Sequence, residues 1–151
     1  MPRSKRRLFT KEPPEPVFFT DRDLGSKIFP PILRNAGLSV EAHADHFHPE
    51  TEDEEWLRAV AKRGWVILTH DKRIQYRSLQ TDAVMRSGLR LFVLIGRVSH
   101  RELAENFVKA LGKIRRFLKR HDHAFIAKVF RDEGRVKMWL SHEAWMERRP
   151  K

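Results

Sequence analysis

Four short apolar runs, each followed by a segment with helical character, constrain this chain more than any other feature. They read PVFFTD (16–21), LSVEAH (38–43), WVILT (65–69) and RLFVLIG (90–96). Each is the length of a strand and too short for a buried helix. The segments between them carry helix punctuation. TEDEEWLRAVAKRG (51–64) has Thr51 and Glu54 at capping-box spacing and Gly64 as a stop. Residues 72–87 lead to Gly88, and 99–120 form the longest helix predicted. Its capping box is Ser99 with Glu102, and its inner stripe is Leu103, Phe107, Leu111, Ile114 and Leu118. Between the first two strands, Pro30 and Pro31 confine a regular helix to the stretch ending at Gly37, leaving 23–29 as a loop or kinked turn. AFIAKVF (124–130), a turn at Asp132 to Gly134, and RVKMWL (135–140) read as a closing hairpin. Strands alternating with helices predict an α/β domain, with a mostly parallel central sheet flanked by helices and a C-terminal β-hairpin.

Length bounds this to one domain: 151 residues suffice for one core and not comfortably for two. The predicted organisation is a basic, proline-rich arm over 1–15, a domain over 16–140 and a polar, basic tail over 141–151. No apolar stretch is long enough to span a bilayer, and no apolar segment follows the basic start as a secretory signal would. The absence of cysteine excludes disulfides and thiolate metal sites and fits a reducing cytoplasm. The formal charge of +11, from 31 Lys and Arg against 20 Asp and Glu, gives a surface that attracts phosphate backbones or an acidic protein partner.

The acids fall in a pattern. In βαβ units the strand C-termini and the following helix N-termini share one edge of the sheet, where ligand sites form. Asp21 ends the first strand, Asp45 follows the second, Asp53 lies in the first turn of the next helix, and Asp71 follows the third strand. Acids in a first helical turn ordinarily serve the macrodipole, and Glu52, Glu54 and Glu55 do so here. Asp53 differs, because Trp56, Leu57 and Val60 at i+3, i+4 and i+7 put it on the sheet-facing side. Like charges gathered at one edge repel unless a cation sits among them, and hard oxygen ligands suit Mg²⁺ or Mn²⁺. That apparatus hydrolyses phosphodiesters, and a basic surface supplies the grip on nucleic acid. Ordinary turn and cap acids remain the competing reading. The histidines His43, His46, His48, His121 and His123 lack cysteine partners and a ligand spacing that suits zinc. Lys109, Lys113, Arg116 and Arg120 line one face of the long helix, a solvated face by default and otherwise a track for phosphates or an acidic partner.

The order FFTD (18–21), DEEWL (53–57) and GWVILTHDKR (64–73) resembles the PIN-like ribonucleases, closest to the VapC-type toxin branch. Leu24-Gly25, Leu33-Arg34-Asn35-Ala36-Gly37 and Asp45-His46-Phe47 share the branch's L-G, L-R-x-x-G and D-x-F, and the likeness covers roughly residues 17–130. The resemblance implies a metal-dependent endoribonuclease of a type II toxin–antitoxin pair, with RNA as substrate, a cognate antitoxin as partner and a possible homodimer. It implies Asp21, Asp53 and Asp71 as metal ligands, with Thr69 of the T-x-D motif orienting Asp71 or a ligand water. Arg22, Lys72 and Arg73 are the residues placed to hold the RNA backbone. The family's fourth acid, just after T-x-D, is replaced by Lys72 and Arg73. That favours a single ion unless Asp23, Asp45 or Glu54 fills in, and it supports the alternative of a catalytically inactive nucleic-acid-binding or regulatory protein. VFFTDRDLG also mimics a haloacid-dehalogenase start, but no convincing acid pair follows Asp71, and a receiver domain fails on similar grounds.

Overall fold

The computed structural model describes residues 15–73, 77–131 and 134–148; residues 1–14 of the predicted arm lie outside them. The apolar runs form strands β1 (Val17–Thr20), β2 (Ser39–Ala42), β3 (Val66–Thr69) and β4 (Arg90–Leu94). The predicted hairpin forms β5 (Phe125–Val129) and β6 (Val136–Ser141). All six belong to one sheet of order β2-β1-β3-β4-β5-β6, parallel throughout except for the antiparallel β5–β6 pair.

Alternation along each strand divides the core into two layers. Phe18, Val66, Leu68, Phe92 and Phe125 face one side, with Phe29, Leu33, Phe107 and Ile114 packed on them. Phe19, Ile67, Leu91, Val93 and Ile126 face the other, under Trp56, Leu57, Val60, Val84 and Trp145. The first layer is covered by helices α1 (Phe29–Asn35), α4 (His100–Lys109) and α5 (Leu111–Arg120). The second is covered by α2 (Asp53–Arg63), α3 (Ser78–Arg86) and α6 (His142–Arg148). A parallel sheet covered on both faces buries its strands at every position, as it does β3, which is apolar up to its last residue, Thr69. Strand order steps outward in both directions from β1 and β3, so the crevice between their C-terminal ends is the topological switch point.

Three local expectations are corrected. Helix α2 is capped at Glu52 with no side-chain cap bond, so Thr51 and Glu54 do not form a box. The Thr51 carbonyl instead receives Arg22 Nη1 at 3.3 Å, and Arg22 holds the entry to the helix. The long helix is two helices, broken at Ala110 (φ −85°, ψ −1°) just ahead of Gly112, a poor helix former. Ala110 is buried where the hairpin closes over it: a Cβ on Gly134 would lie 2.6 Å from the Ala110 Cβ, so only glycine fits there at φ +63°. The third correction concerns the polar tail, which over 142–148 is a helix. Its Trp145 is buried in the second layer and donates from Nε1 to Asp82 Oδ1 at 2.7 Å. Two other expectations hold: Ser99 Oγ accepts from the Glu102 amide (3.1 Å), and Gly64 ends α2 in the left-handed region.

Candidate active site

The switch point is where the acids meet. The Asp21 amide donates to the Leu68 carbonyl (3.0 Å), carrying the β1–β3 ladder one residue beyond β1 and fixing where the carboxylate starts. Thr69, fully buried at the last position of β3, is the hub. Its hydroxyl donates to Asp21 Oδ2 (3.0 Å), lies 3.4 Å from Asp23 Oδ2, and accepts from the Asp71 amide (3.1 Å). Asp23 reaches the hub because residues 22–24 form a 3-10 turn, which swings the second acid of the D-x-D back over the strand tips. There the His70 amide donates to Asp23 Oδ2 at 3.0 Å. The His100 ring meets the Asp23 carbonyl at 3.0 Å, anchoring the turn to the start of α4.

Asp53 arrives on the first turn of α2 facing inward with Trp56, Leu57 and Val60, while Glu54 and Glu55 face solvent. It is fully engaged. Trp56 Nε1 donates to its Oδ1 (2.9 Å), Gln80 Nε2 donates to its Oδ2 (2.9 Å), and Arg22 Nη2 forms an ion pair with Oδ1. Asp71 is engaged as well, by the amide and Nε of Arg73, both at 3.0 Å. Asp45 is exposed, with Arg34 at 3.9 Å.

The structure therefore brings Asp21, Asp23 and Thr69 together, with Asp53 and Asp71 on the flanks, each paired with an arginine. Asp23, considered in the sequence only as a substitute for the missing fourth acid, is a central member; the D-x-D spacing was its signal. The three residues expected to grip RNA separate. Lys72 is exposed beside Asp71, whereas Arg22 is turned inward onto Asp53 and Arg73 is occupied by Asp71. Among the described residues, no three acidic or histidine side chains stand close enough to close on one ion in this conformation.

The charges show what the pocket lacks. Burial raises Asp21 above its ordinary value, by more than the Arg22 amide, the Thr69 hydroxyl and the Arg22 charge lower it. Asp23 is pushed up to about 7, first by burial of its carboxyl and then by the charge of Asp21, with Asp71 adding to it. At Asp71 burial also acts upward, but the hydrogen bonds and charge of Arg73 outweigh it and hold the carboxyl low. Two carboxylates crowded on one hydroxyl are a donor set deficient in positive charge, and their hard oxygens fit a divalent cation. Asp21 and Asp23 would hold it, with Asp53 and Asp71 at the flanks.

Behind Asp53 lies His43, 1% exposed, its two ring nitrogens without hydrogen-bond partners. Phe47, Trp56 and Phe19 surround it at centroid distances of 5.3, 5.5 and 6.1 Å. Burial and the Arg22 charge lower its pKa to about 4, against a smaller opposing pull from Asp53. The unfolded chain takes up this proton near pH 6.5 and the folded chain does not until about pH 4. Stability is thus complete above 6.5 and declines as the pH falls toward 4. The unfolding free energy of wild type, measured by urea titration, should drop over that window relative to a His43→Phe variant, by on the order of 2–3 kcal/mol. Parallel curves for the two proteins would mean that His43 is charged or hydrated in the fold.

The fold and its acidic crevice define an α/β protein with a candidate hydrolytic site at the carboxyl edge of a parallel sheet. The chain belongs to the PIN-like domain family, which matches residues 16–96, more than half of its length and a span that includes Asp21, Asp23, Asp53, Thr69 and Asp71. It is also 29% identical over 104 residues to "Putative ribonuclease VapC45" of Mycobacterium tuberculosis (strain ATCC 25618 / H37Rv), covering 65% of this chain and 75% of that protein. No solved structure matches it. No helix of the described residues is long and apolar enough to cross a membrane.

Proposed function

We propose that the protein is a metal-dependent endoribonuclease, acting as the toxin of a type II toxin–antitoxin pair in the cytoplasm. The observation that carries this reading is the convergence of Asp21 and Asp23 on the Thr69 hydroxyl, with carboxyls held above their ordinary pKa, at the switch point between β1 and β3. The likeness to a protein named as a ribonuclease and the net charge of +11 favour RNA as the substrate.

Mg²⁺ or Mn²⁺ supplies acidity to an attacking water and charge to offset that developing on the scissile phosphate. The chain's own residues do the positioning. Asp21 and Asp23 present oxygens from a rigid strand tip and a pinned 3-10 turn. Thr69 holds Asp21 by donating to it and holds the Asp71 backbone by accepting from it, so one hydroxyl sets the spacing of two acids. Trp56 and Gln80 orient Asp53 from the helix side. Lys72, exposed next to Asp71, is placed to meet a phosphate entering the crevice. A cognate antitoxin and a homodimeric assembly accompany this reading as proposals.

The purified chain incubated with RNA, and separately with DNA, should cut RNA only when Mg²⁺ or Mn²⁺ is present. Asp71→Asn should remove that cleavage without changing the fold measured by circular dichroism. Undiminished cutting by the variant would remove Asp71 from the site. A second reading, a regulatory or nucleic-acid-binding protein that has lost catalysis, draws on the pairing of Asp53 and Asp71 with arginines. Binding of RNA without divalent-dependent cutting would favour it.

A further inference from the structure

Arg22 follows Asp21 directly, and its side chain turns inward across the crevice. Its guanidinium meets three acceptors of one distant segment, residues 49–53: the Asp53 carboxylate and the carbonyls of Pro49 (2.6 Å) and Thr51 (3.3 Å). Its Nε lies 3.8 Å from Asp21 Oδ1. Arg73 makes the contrasting case. Its side chain is 72% exposed and, among the described residues, pairs with Asp71 of its own turn, whereas the Arg22 side chain is 37% exposed and spans about thirty residues of sequence. An arginine kept for substrate phosphates would leave its fork open. This fork is committed to the protein itself.

We propose that Arg22 is the resident cation of the pocket: it clamps Asp53 against Asp21 in the metal-free chain and competes with a divalent ion for those two carboxylates. The proposal rests on the reading of the crevice as a divalent-cation site. A guanidinium stays charged at any pH the protein experiences, so the competition cannot be relieved by proton loss and requires the side chain to move. A divalent ion held by Asp21 and Asp23 and reaching the flanking Asp53, with the guanidinium still between Asp21 and Asp53, would meet direct repulsion. The Pro49 and Thr51 carbonyls already anchor the side chain at Nη1, so it can swing off the acids without being lost to solvent. They are neutral acceptors that keep hold of Nη1 when Nη2 and Nε release the acids. Arg22 is on this account a positioning residue that sets how readily the pocket loads.

The test is calorimetric titration of Mn²⁺ into full-length wild type, Arg22→Gln and Arg22→Lys, with thermal melts of each in chelator. Arg22→Gln should bind Mn²⁺ on the order of tenfold tighter, the scale of one displaced charge-assisted hydrogen bond, and melt lower in chelator. Arg22→Lys keeps the charge but loses the fork that reaches acid and carbonyls together, so it too should bind more tightly than wild type. It also serves if the glutamine variant does not fold. Affinity equal to or weaker than wild type in the glutamine variant, or in the lysine variant should only that one fold, overturns the proposal while leaving the cation site standing. Mn²⁺ binding that appears only in the variants supports the proposal. No Mn²⁺ binding in any of the three removes the cation site, and the proposal with it.

Discussion

Asp23→Asn is expected to abolish divalent-dependent RNA cleavage and at the same time to raise the melting temperature in chelator at pH 8. The two effects have one cause. With its pKa near 7, the Asp23 carboxyl is ionised at pH 8 against the charge of Asp21 and against its own burial. The unfolded chain ionises it freely near 3.8. A raised folded pKa of this kind contributes stability that is complete below 3.8 and is lost as the pH rises toward 7. Asparagine keeps an oxygen for the His70 amide and removes the charge, so the metal-free fold should gain. Cleavage should fall on the order of a hundredfold or more, the scale of losing one group that stabilises transition-state charge. Melting curves in chelator at pH 5 and pH 8, with RNA cleavage rates in Mn²⁺, check both halves. A variant that is less stable at pH 8 would show that the carboxylate is satisfied without a cation. A variant that still cuts at the wild-type rate would place Asp23 outside the chemistry.

Trp56→Ala carries the largest expected loss of stability, about 3–5 kcal/mol by chemical denaturation. Trp56 is 1% exposed and packs on Phe19 (5.4 Å between ring centroids) and His43. Its removal opens the second layer directly beneath the acids. Trp56→Phe keeps most of the ring but loses the indole N–H bonded to Asp53, and should cost about 1–2 kcal/mol. The pair separates packing from the polar link. If the phenylalanine variant is as damaged as the alanine one, the hydrogen bond to Asp53 dominates and the packing argument fails.

The layered α/β architecture was readable because each of its parts has a short-range cause. Short apolar runs of strand length placed β1 to β4, Ser99 capped α4 through its own neighbour three residues on, and Gly64 stopped α2 by backbone conformation. The inward face of Asp53 followed from helical geometry with Trp56, Leu57 and Val60. What escaped the sequence depends on which distant groups become neighbours. Arg22 reads as a solvent-facing residue after a strand until Pro49, Thr51 and Asp53 are brought alongside it. Asp23 reads as a spare acid until a 3-10 turn and the His70 amide fold it back. The break at Ala110 answers to Gly134, more than twenty residues away, and no helix propensity records that contact. Helix α6 was hidden by its polar composition, with Trp145 alone marking the side that is buried.

The Thr69 hub has a consequence for how the protein is made. Its hydroxyl joins Asp21 across 48 residues, and the contact exists only after β3 has aligned beside β1. A nascent chain emerging from the ribosome with β1 alone has isolated acids on an unpaired strand and nothing to bring them into register. The crevice comes into being in a single long-range closure, a slow kind of contact to form. A chain that stops short of β3 therefore lacks the hydroxyl on which the acids converge.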